Sequence, residues 1–171
     1  TILNFTSADS VAPTLASSSP ADNATGVAEG SNIVLTFSEN VDEESGNITI
    51  KKTSDNSTIE AIAVTDSKIT GGGTTIITID PTANLASSTE FYVLIDASAF
   101  DDTSSNDYAG ITSTTALSFT TSDTVSPTLA SSSPADGASG IVVSSNIILN
   151  FSEVVDVETG NIVIKRTDTD A

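Results

Sequence analysis

The chain repeats itself at a fixed interval. The nine residues TLASSSPAD occupy positions 14–22 and recur unchanged at positions 128–136. Sliding the chain on itself by the distance from Thr14 to Thr128 needs no gap, and about 34 of the 57 residue pairs so aligned are identical. A period of this length is typical of an array of similar domains. The sequence therefore predicts about one and a half copies of one domain.

The repeat divides the chain into three predicted segments. Residues 1–8 correspond to the last strand of a preceding repeat, residues 9–122 form a complete repeat, and residues 123–171 supply the first strands of a following, truncated repeat. The chain contains no Met, and we expect it to be a window from a longer protein. One complete copy is long enough to bury a core of its own.

Apolar and polar residues alternate within each repeat. Ile33, Leu35 and Phe37 would lie on one face of an extended strand, and Ile48 and Ile50 follow the same rule. Seven such runs occur in one repeat, separated by turns rich in Gly, Pro, Asn and Asp. This pattern predicts an all-β fold of tandem immunoglobulin-like, seven-stranded antiparallel β-sandwiches.

The net charge and the absent residue types disfavour several classes of function. The chain has 23 acidic and 5 basic residues, a net charge of −18, which disfavours nucleic acid as a partner. It has no Cys and no His, so it lacks thiol chemistry and the usual general base at neutral pH. No apolar stretch approaches the roughly 18 residues of a membrane-spanning helix, and no direct membrane insertion is expected.

The acidic residues concentrate at one end of the predicted sandwich. Because the strands alternate in direction, the incoming linker meets the loops after the second, fourth and sixth strands at that end. Carboxylates crowded there repel one another unless a cation neutralises them, and calcium accepts many oxygen ligands in irregular geometry. We predict a calcium site at this joint between repeats. Its candidate ligands are Asp9, Glu39, Asp42, Asp101, Asp102 and Asp107, with Asp123, Glu153 and Asp156 in the same roles in the next repeat.

Two alternatives to a calcium site remain open at this stage. The acids could be a solvated surface neutralised by monovalent ions, because no EF-hand spacing is present. Asp9 and Asp123 could instead cap turns in the linkers, because an Asp side chain readily bonds its own local backbone.

Three short motifs carry a family resemblance. They are SSPAD at 18–22, FSENVD at 37–42 and NDYAG at 106–110. These segments resemble the bacterial Ig-like domains of the SbsA type, which occur in tandem repeats of large bacterial surface proteins such as adhesins and S-layer proteins. The resemblance implies an extracellular, cell-surface location and a structural role rather than that of an enzyme.

Two functions fit these expectations. The first is a structural spacer of a long bacterial surface protein (an adhesin stalk, a filament or a surface layer), stiffened by calcium at the joints. Its partners would be adjacent repeats of the same chain and neighbouring copies in a filament or layer. The alternative is an adhesive module that binds a glycan or protein through the loop at 98–114. Phe100 and Tyr108 are the aromatic candidates there, and both could instead pin the loop to the sandwich.

Overall fold

The structure, a computed structural model, describes residues 2–4 and 6–166. These residues contain β-strands and no helix, so none of them forms a helix long and apolar enough to cross a membrane. The chain divides into two compact units, unit 1 within residues 1–124 and unit 2 within residues 125–171.

Ten strands build unit 1 within the described residues. They are β1 (Leu15–Ser19), β2 (Ala24–Val27), β3 (Ile33–Glu43), β4 (Asn47–Lys52), β5 (Thr58–Ala63), β6 (Ile69–Thr70), β7 (Thr74–Ile79), β8 (Glu90–Ile95), β9 (Phe100–Asp101) and β10 (Ser118–Thr121). One sheet has the order β1-β3-β7-β6, with β9 also paired to β3. The other sheet has the order β2-β10-β8-β4-β5.

The beginning of unit 1 is divided between the two sheets. β1 pairs with β3 in the first sheet, and after Pro20 the chain crosses to the second sheet, where β2 pairs with β10. The β2–β10 pair is parallel, and the other ladders among the described residues are antiparallel. β2 and β10, which are the first and last strands of the second sheet in chain order, therefore run side by side in the same direction.

The all-β sandwich predicted from the alternation is confirmed, but the prediction of seven strands, all antiparallel, was wrong. All seven predicted runs contain strands, and the structure adds the short strands β2, β6 and β9. These strands have two to four residues. Segments so short contain too few residues for an alternation to be recognised. The parallel pair arises because the chain changes sheets at Pro20.

Apolar side chains fill the space between the two sheets. Leu35 and Phe37 from β3 pack there with Ile48 and Ile50 from β4, and each of these side chains is at most 3% exposed. The Phe37 ring meets the Tyr108 ring edge-on, with centroids 5.1 Å apart. Such edge-to-face contacts stabilise beyond simple area burial. The core therefore rests on aliphatic residues with a small aromatic cluster at one end.

Unit 2 repeats the local geometry of the start of unit 1. Its strands β11 (Leu129–Ser133) and β12 (Ile148–Phe151) pair antiparallel with Leu129 opposite Phe151. In unit 1, Leu15 is opposite Phe37 in the same register, and both ladders shift register after that pair.

Side-chain hydrogen bonds repeat as well. The Thr14 backbone N–H donates to Ser38 Oγ at 3.0 Å, and the Thr128 N–H donates to Ser152 Oγ at 2.9 Å. The nine identical residues thus adopt the same pairing in both units.

The predicted segment boundaries stay predictions. Within residues 1–8, positions 2–4 and 6–8 form no strand, and positions 1 and 5 lie outside the described residues. Residues 123–171 contain β11 and β12, and positions 167–171 lie outside the described residues.

Equivalent positions in the two units differ in burial, which gives a matched test of the core. Leu35 is fully buried, whereas Leu149, at the equivalent position of unit 2, is 36% exposed. We expect Leu35→Ala to lower the free energy of unfolding by about 2–5 kcal/mol, and Leu149→Ala to lower it by less than about 1 kcal/mol. Denaturant unfolding of the whole chain measures both. Equal losses of unfolding free energy in Leu35→Ala and Leu149→Ala would contradict the assignment of Leu35 to the core and Leu149 to a more exposed position.

Candidate functional site

The structure separates the nine predicted metal ligands into three groups. Asp9, Glu39 and Asp102 come together, and we call them the linker cluster. Asp42, Asp101 and Asp107 lie in register across neighbouring strands, and we call them the aspartate row. Asp123, Glu153 and Asp156 belong to neither group.

The linker cluster brings three carboxylates into one place. One oxygen from each of Asp9, Glu39 and Asp102 lies within 4.8 Å of the other two. Asp9 is exposed in the incoming linker, Glu39 is partly buried in β3, and Asp102 is buried directly after β9. Residues far apart in sequence therefore converge at the end of the sandwich that receives the linker.

Asp9 also forms the turn contact that was its alternative interpretation. Its Oδ1 accepts a hydrogen bond from the Val11 backbone N–H at 3.0 Å. A carboxylate has two oxygens and several acceptor positions, so this turn leaves Asp9 able to contact a cation as well. The turn fixes the direction in which the Asp9 side chain leaves the linker.

Asp102 is held by donors from its own loop. Its Oδ1 accepts hydrogen bonds from the backbone N–H groups of Ser104 at 2.8 Å and Asn106 at 2.9 Å. Its Oδ2 accepts from Asn106 Nδ2 at 2.7 Å. These bonds, led by the Asn106 side chain, lower the pKa of Asp102 and keep it ionised.

Glu39 experiences the opposite influence. Burial raises the pKa of Glu39, and the negative charges of Asp102 and Asp9 raise it further. The linker cluster is therefore a group of acids that destabilise one another when all are ionised.

The aspartate row runs across β9. Asp101 pairs directly with Asp42 of β3 on one side and with Asp107 on the other. Residues directly opposite in antiparallel pairs point to the same face. Three aspartate side chains consequently share one face, side by side.

Asp101 is the buried member of this row. The residue is 8% exposed, and its carboxylate accepts no hydrogen bond from the described residues but keeps contact with solvent. Burial raises the pKa of Asp101, and the charges of Glu44, Asp107 and Asp42 raise it further. Glu44 was not among the predicted ligands. Its relation to Asp101 depends on the β3–β9 pairing, which the sequence pattern did not reveal.

The remaining predicted ligands lie elsewhere. Asp123 Oδ1 accepts a hydrogen bond from Ser87 Oγ at 3.4 Å in unit 1. Glu153 is partly buried and Asp156 is exposed in unit 2. The structure also moves Glu39 and Asp42 from a predicted loop into β3, which continues beyond the core to Glu43.

The aromatic residues of the loop at 98–114 do not form a binding surface. Phe100 is fully buried and Tyr108 is 6% exposed. The Phe100 ring packs against Phe37 with centroids 5.4 Å apart. These aromatic residues attach the loop to the core, which was the second of the two roles considered for them. The alternative that the loop binds a glycan or protein stays a prediction.

Two adjacent aspartates should respond to substitution in opposite directions. In a chelating buffer near neutral pH, we expect Asp101→Asn to raise the melting temperature and Asp102→Asn to lower it. The first change removes a negative charge that is largely desolvated and lies beside other acids. The second leaves N–H donors without their carboxylate.

The dependence on pH follows from the two pKa directions. The raised pKa of Asp101 makes its contribution to stability fall as pH rises from below 3.8 through the folded-state pKa. The lowered pKa of Asp102 gives a contribution present above 3.8 and lost as pH falls through its folded-state pKa. Thermal unfolding from about pH 3 to pH 7 measures both slopes. If the stability of the two variants depended on pH in the same way, the opposite pKa shifts of Asp101 and Asp102 would be contradicted.

Comparisons with known proteins give one family and two structural neighbours. The family described as Bacterial Ig-like domain matches residues 9–121 and again residues 123–171. CopC from Methylosinus trichosporium OB3b aligns with a TM-score of 0.49 and 17% identity over 67% of this chain and 97% of that chain. The S-layer protein rSbsC(31-844) aligns with a TM-score of 0.44 and 14% identity over 71% of this chain and 16% of that chain. No curated protein matches this chain significantly.

Proposed function

This chain belongs to the bacterial Ig-like domain family, and we propose that it acts as a structural spacer in a long extracellular protein of a bacterial surface. In this role it transmits tension from one neighbouring repeat to the next. Its partners are adjacent repeats of the same chain and, in a filament or layer, neighbouring copies. The observation that carries the proposal is the parallel pairing of the first and last strands of the second sheet, β2 and β10.

Parallel pairing determines how this unit responds to tension. A pull on the two ends of unit 1 draws β2 and β10 past each other in opposite directions, so their hydrogen bonds are loaded together. The Asn23 N–H donates to the Ser118 carbonyl at 2.7 Å, and the Ser122 N–H donates to the Val27 carbonyl at 2.8 Å. These bonds stand at the two ends of the pair. Unfolding by shear must break them at once rather than one after another.

The outgoing segment is tied to the body of unit 1. The Thr124 N–H donates to Ser87 Oγ at 2.8 Å, and Thr124 Oγ1 donates to Glu29 Oε1 at 2.6 Å. The Ser88 N–H donates to the Ser122 carbonyl at 3.0 Å. Residues 122–124 are therefore held against the body of unit 1, as a spacer under tension requires.

Single-molecule pulling of the whole chain from its two ends tests the spacer role. We expect Ser122→Pro to lower the unfolding force of unit 1, because proline removes the N–H that bonds Val27. The core variant Ile62→Val is the control. Its expected cost of about 0.5–1.5 kcal/mol matches that of one lost hydrogen bond. Equal loss of force in both variants would show that the β2–β10 pair does not carry the load.

We further propose that calcium stiffens the incoming side through the linker cluster. Oxygens bound to one calcium ion lie about 2.3–2.6 Å from it, so carboxylate oxygens within 4.8 Å of one another can share one ion. Asp102 is already oriented by its loop, and Asp9 belongs to the linker. An ion held by Asp9, Glu39 and Asp102 would therefore attach the linker to the sandwich and relieve the repulsion at Glu39.

Hydrogen exchange of the full chain tests this calcium site. We expect calcium to slow amide exchange in the linker segment 6–14, and Glu39→Gln to remove that protection. Glu43→Gln, in the same strand, changes the net charge equally and is the control, because the Glu43 carboxylate lies beside Gly72. Protection that persists in Glu39→Gln, or that sodium reproduces at equal ionic strength, would identify the acids as a solvated surface.

A further inference from the structure

We propose that β5, the outermost strand of the second sheet, pairs antiparallel with β5 of a second copy of this chain. The two second sheets then form one continuous sheet across a twofold axis at Ala61. The observation behind the proposal is a long, regular sheet edge with little charge on a strongly acidic molecule. The inference rests on the filament or layer form of the proposed function, since it names the surface by which neighbouring copies meet.

β5 is the longest edge strand of unit 1 within the described residues. It has six residues and pairs with β4 on one side only. The other outermost strands are β1, with five residues and a register shift after Leu15, β2, with four residues, and β6, with two. Natural proteins usually protect an edge with proline, a bulge, a charge or a short length. β5 has no proline, and its ladder with β4 is regular from Ala63 to Glu60.

Backbone groups in the middle of β5 point away from β4. The Val64 N–H donates to the Gly46 carbonyl at 3.0 Å, and hydrogen-bonded pairs recur at every second residue of an antiparallel ladder. Ile62 therefore directs its N–H and carbonyl to β4, whereas Ala61 and Ala63 direct theirs outward. No loop of the described chain bonds the Ala61 N–H or carbonyl. A second strand would satisfy both groups.

The direction of these groups limits the register of the second strand. Outward-directed residues must lie opposite one another, so the twofold axis passes through a residue rather than between two. An axis at Glu60 places two carboxylates directly opposite each other, which destabilises a ladder. An axis at Ile62 or beyond, or at Ile59 or before, pairs at most three residues of the strand. An axis at Ala61 pairs Ile59 to Ala63 and avoids both problems.

Side chains on the outer face suit this register. Ile59 is 46% exposed, and it would lie opposite Ala63 of the second copy, twice by symmetry. The exposed Ala61 side chains would meet at the axis. Covering Ile59 removes apolar surface from water, which is favourable. Such apolar contact supplements the main-chain hydrogen bonds through which one strand extends the edge of another sheet.

Charge also favours this edge. The basic residues between positions 9 and 124 are Lys51, Lys52 and Lys68. Lys51 and Lys52 end β4, the neighbour of β5, and Lys68 lies 3.4 Å from Glu60, the acid of β5. The Thr82 N–H also donates to the Glu60 carboxylate at 2.9 Å. Two copies that each carry a net charge of −18 repel least where these positive charges lie.

Cysteine crosslinking of the full chain tests the register, because the wild type has no Cys. Ala61→Cys places two thiols opposite each other at the axis, where Cα atoms about 5.5 Å apart allow a disulfide. Ala63→Cys is the matched control on the same face of the same strand, and its two Cα atoms would lie about 14 Å apart. With glutathione disulfide as oxidant, we expect Ala61→Cys to form covalent dimers at least about tenfold faster than Ala63→Cys.

Sedimentation of the full chain at rising concentration measures association without a crosslink. We expect the wild type to form weak dimers, and to form more of them at high salt, which screens repulsion between acidic copies. At equal ionic strength, Ala61→Lys should raise the dissociation constant by about fivefold, because two like charges then face each other at the axis. Ile76→Lys adds the same charge at an exposed position of β7 in the first sheet, and should associate as the wild type does.

Three results would overturn the proposal. Equal crosslinking of Ala61→Cys and Ala63→Cys, or none in either, would exclude a twofold axis at Ala61. A wild type that stays monomeric at every concentration and salt would exclude β5 as an interface. A dimer that Ala61→Lys and Ile76→Lys affect alike would place the interface elsewhere. The pulling experiment loads single molecules, so each of these failures would leave the spacer role standing.

Discussion

Apolar contact between the two sheets is the interaction on which the rest of the structure depends. The chain has no Cys, so no disulfide supports the fold. Stability must come from burying aliphatic side chains such as Leu35 and Ile48, which are fully enclosed. β3 contributes Leu35 and Phe37 to this core and then continues outward to Glu43. The strand that anchors the core therefore also positions the acids at its outer end.

The division of the first strand links core stability to mechanical behaviour. β1 completes one sheet and β2 completes the other, so the first two strands of unit 1 hold both layers. Because β2 lies parallel to β10, we expect these two strands to resist separation together when unit 1 is pulled from its ends. A repeat built in this way suits a chain under tension, because each unit would meet the load with its own terminal strands.

The neighbouring acids Asp101 and Asp102 illustrate how environment separates identical residues. Asp102 receives hydrogen bonds from Ser104 and Asn106, which lower its pKa. Asp101 receives none, and burial together with adjacent acids raises its pKa. One side chain is thus a stabilising anchor for its loop, and the other is a source of repulsion among neighbouring acids. The difference arises from which face of a short strand each side chain occupies.

The sequence by itself determined the repeat, the all-β class, the family resemblance and the residues of the core. These features depend on the order of the residues alone. The fold class and the core follow from period-two alternation, and the repeat follows from near-identity between positions 114 residues apart, such as Thr14 and Thr128. It also determined that acids crowd one end of the sandwich. Tertiary structure alone decided that Asp9 meets Glu39 and Asp102, that Asp101 lies between Asp42 and Asp107, and that Phe100 and Tyr108 are buried. The physical reason is register. A two-residue strand such as β9 is too short to carry a pattern that specifies its partner, so its pairing is fixed only when the surrounding core places β3 beside it.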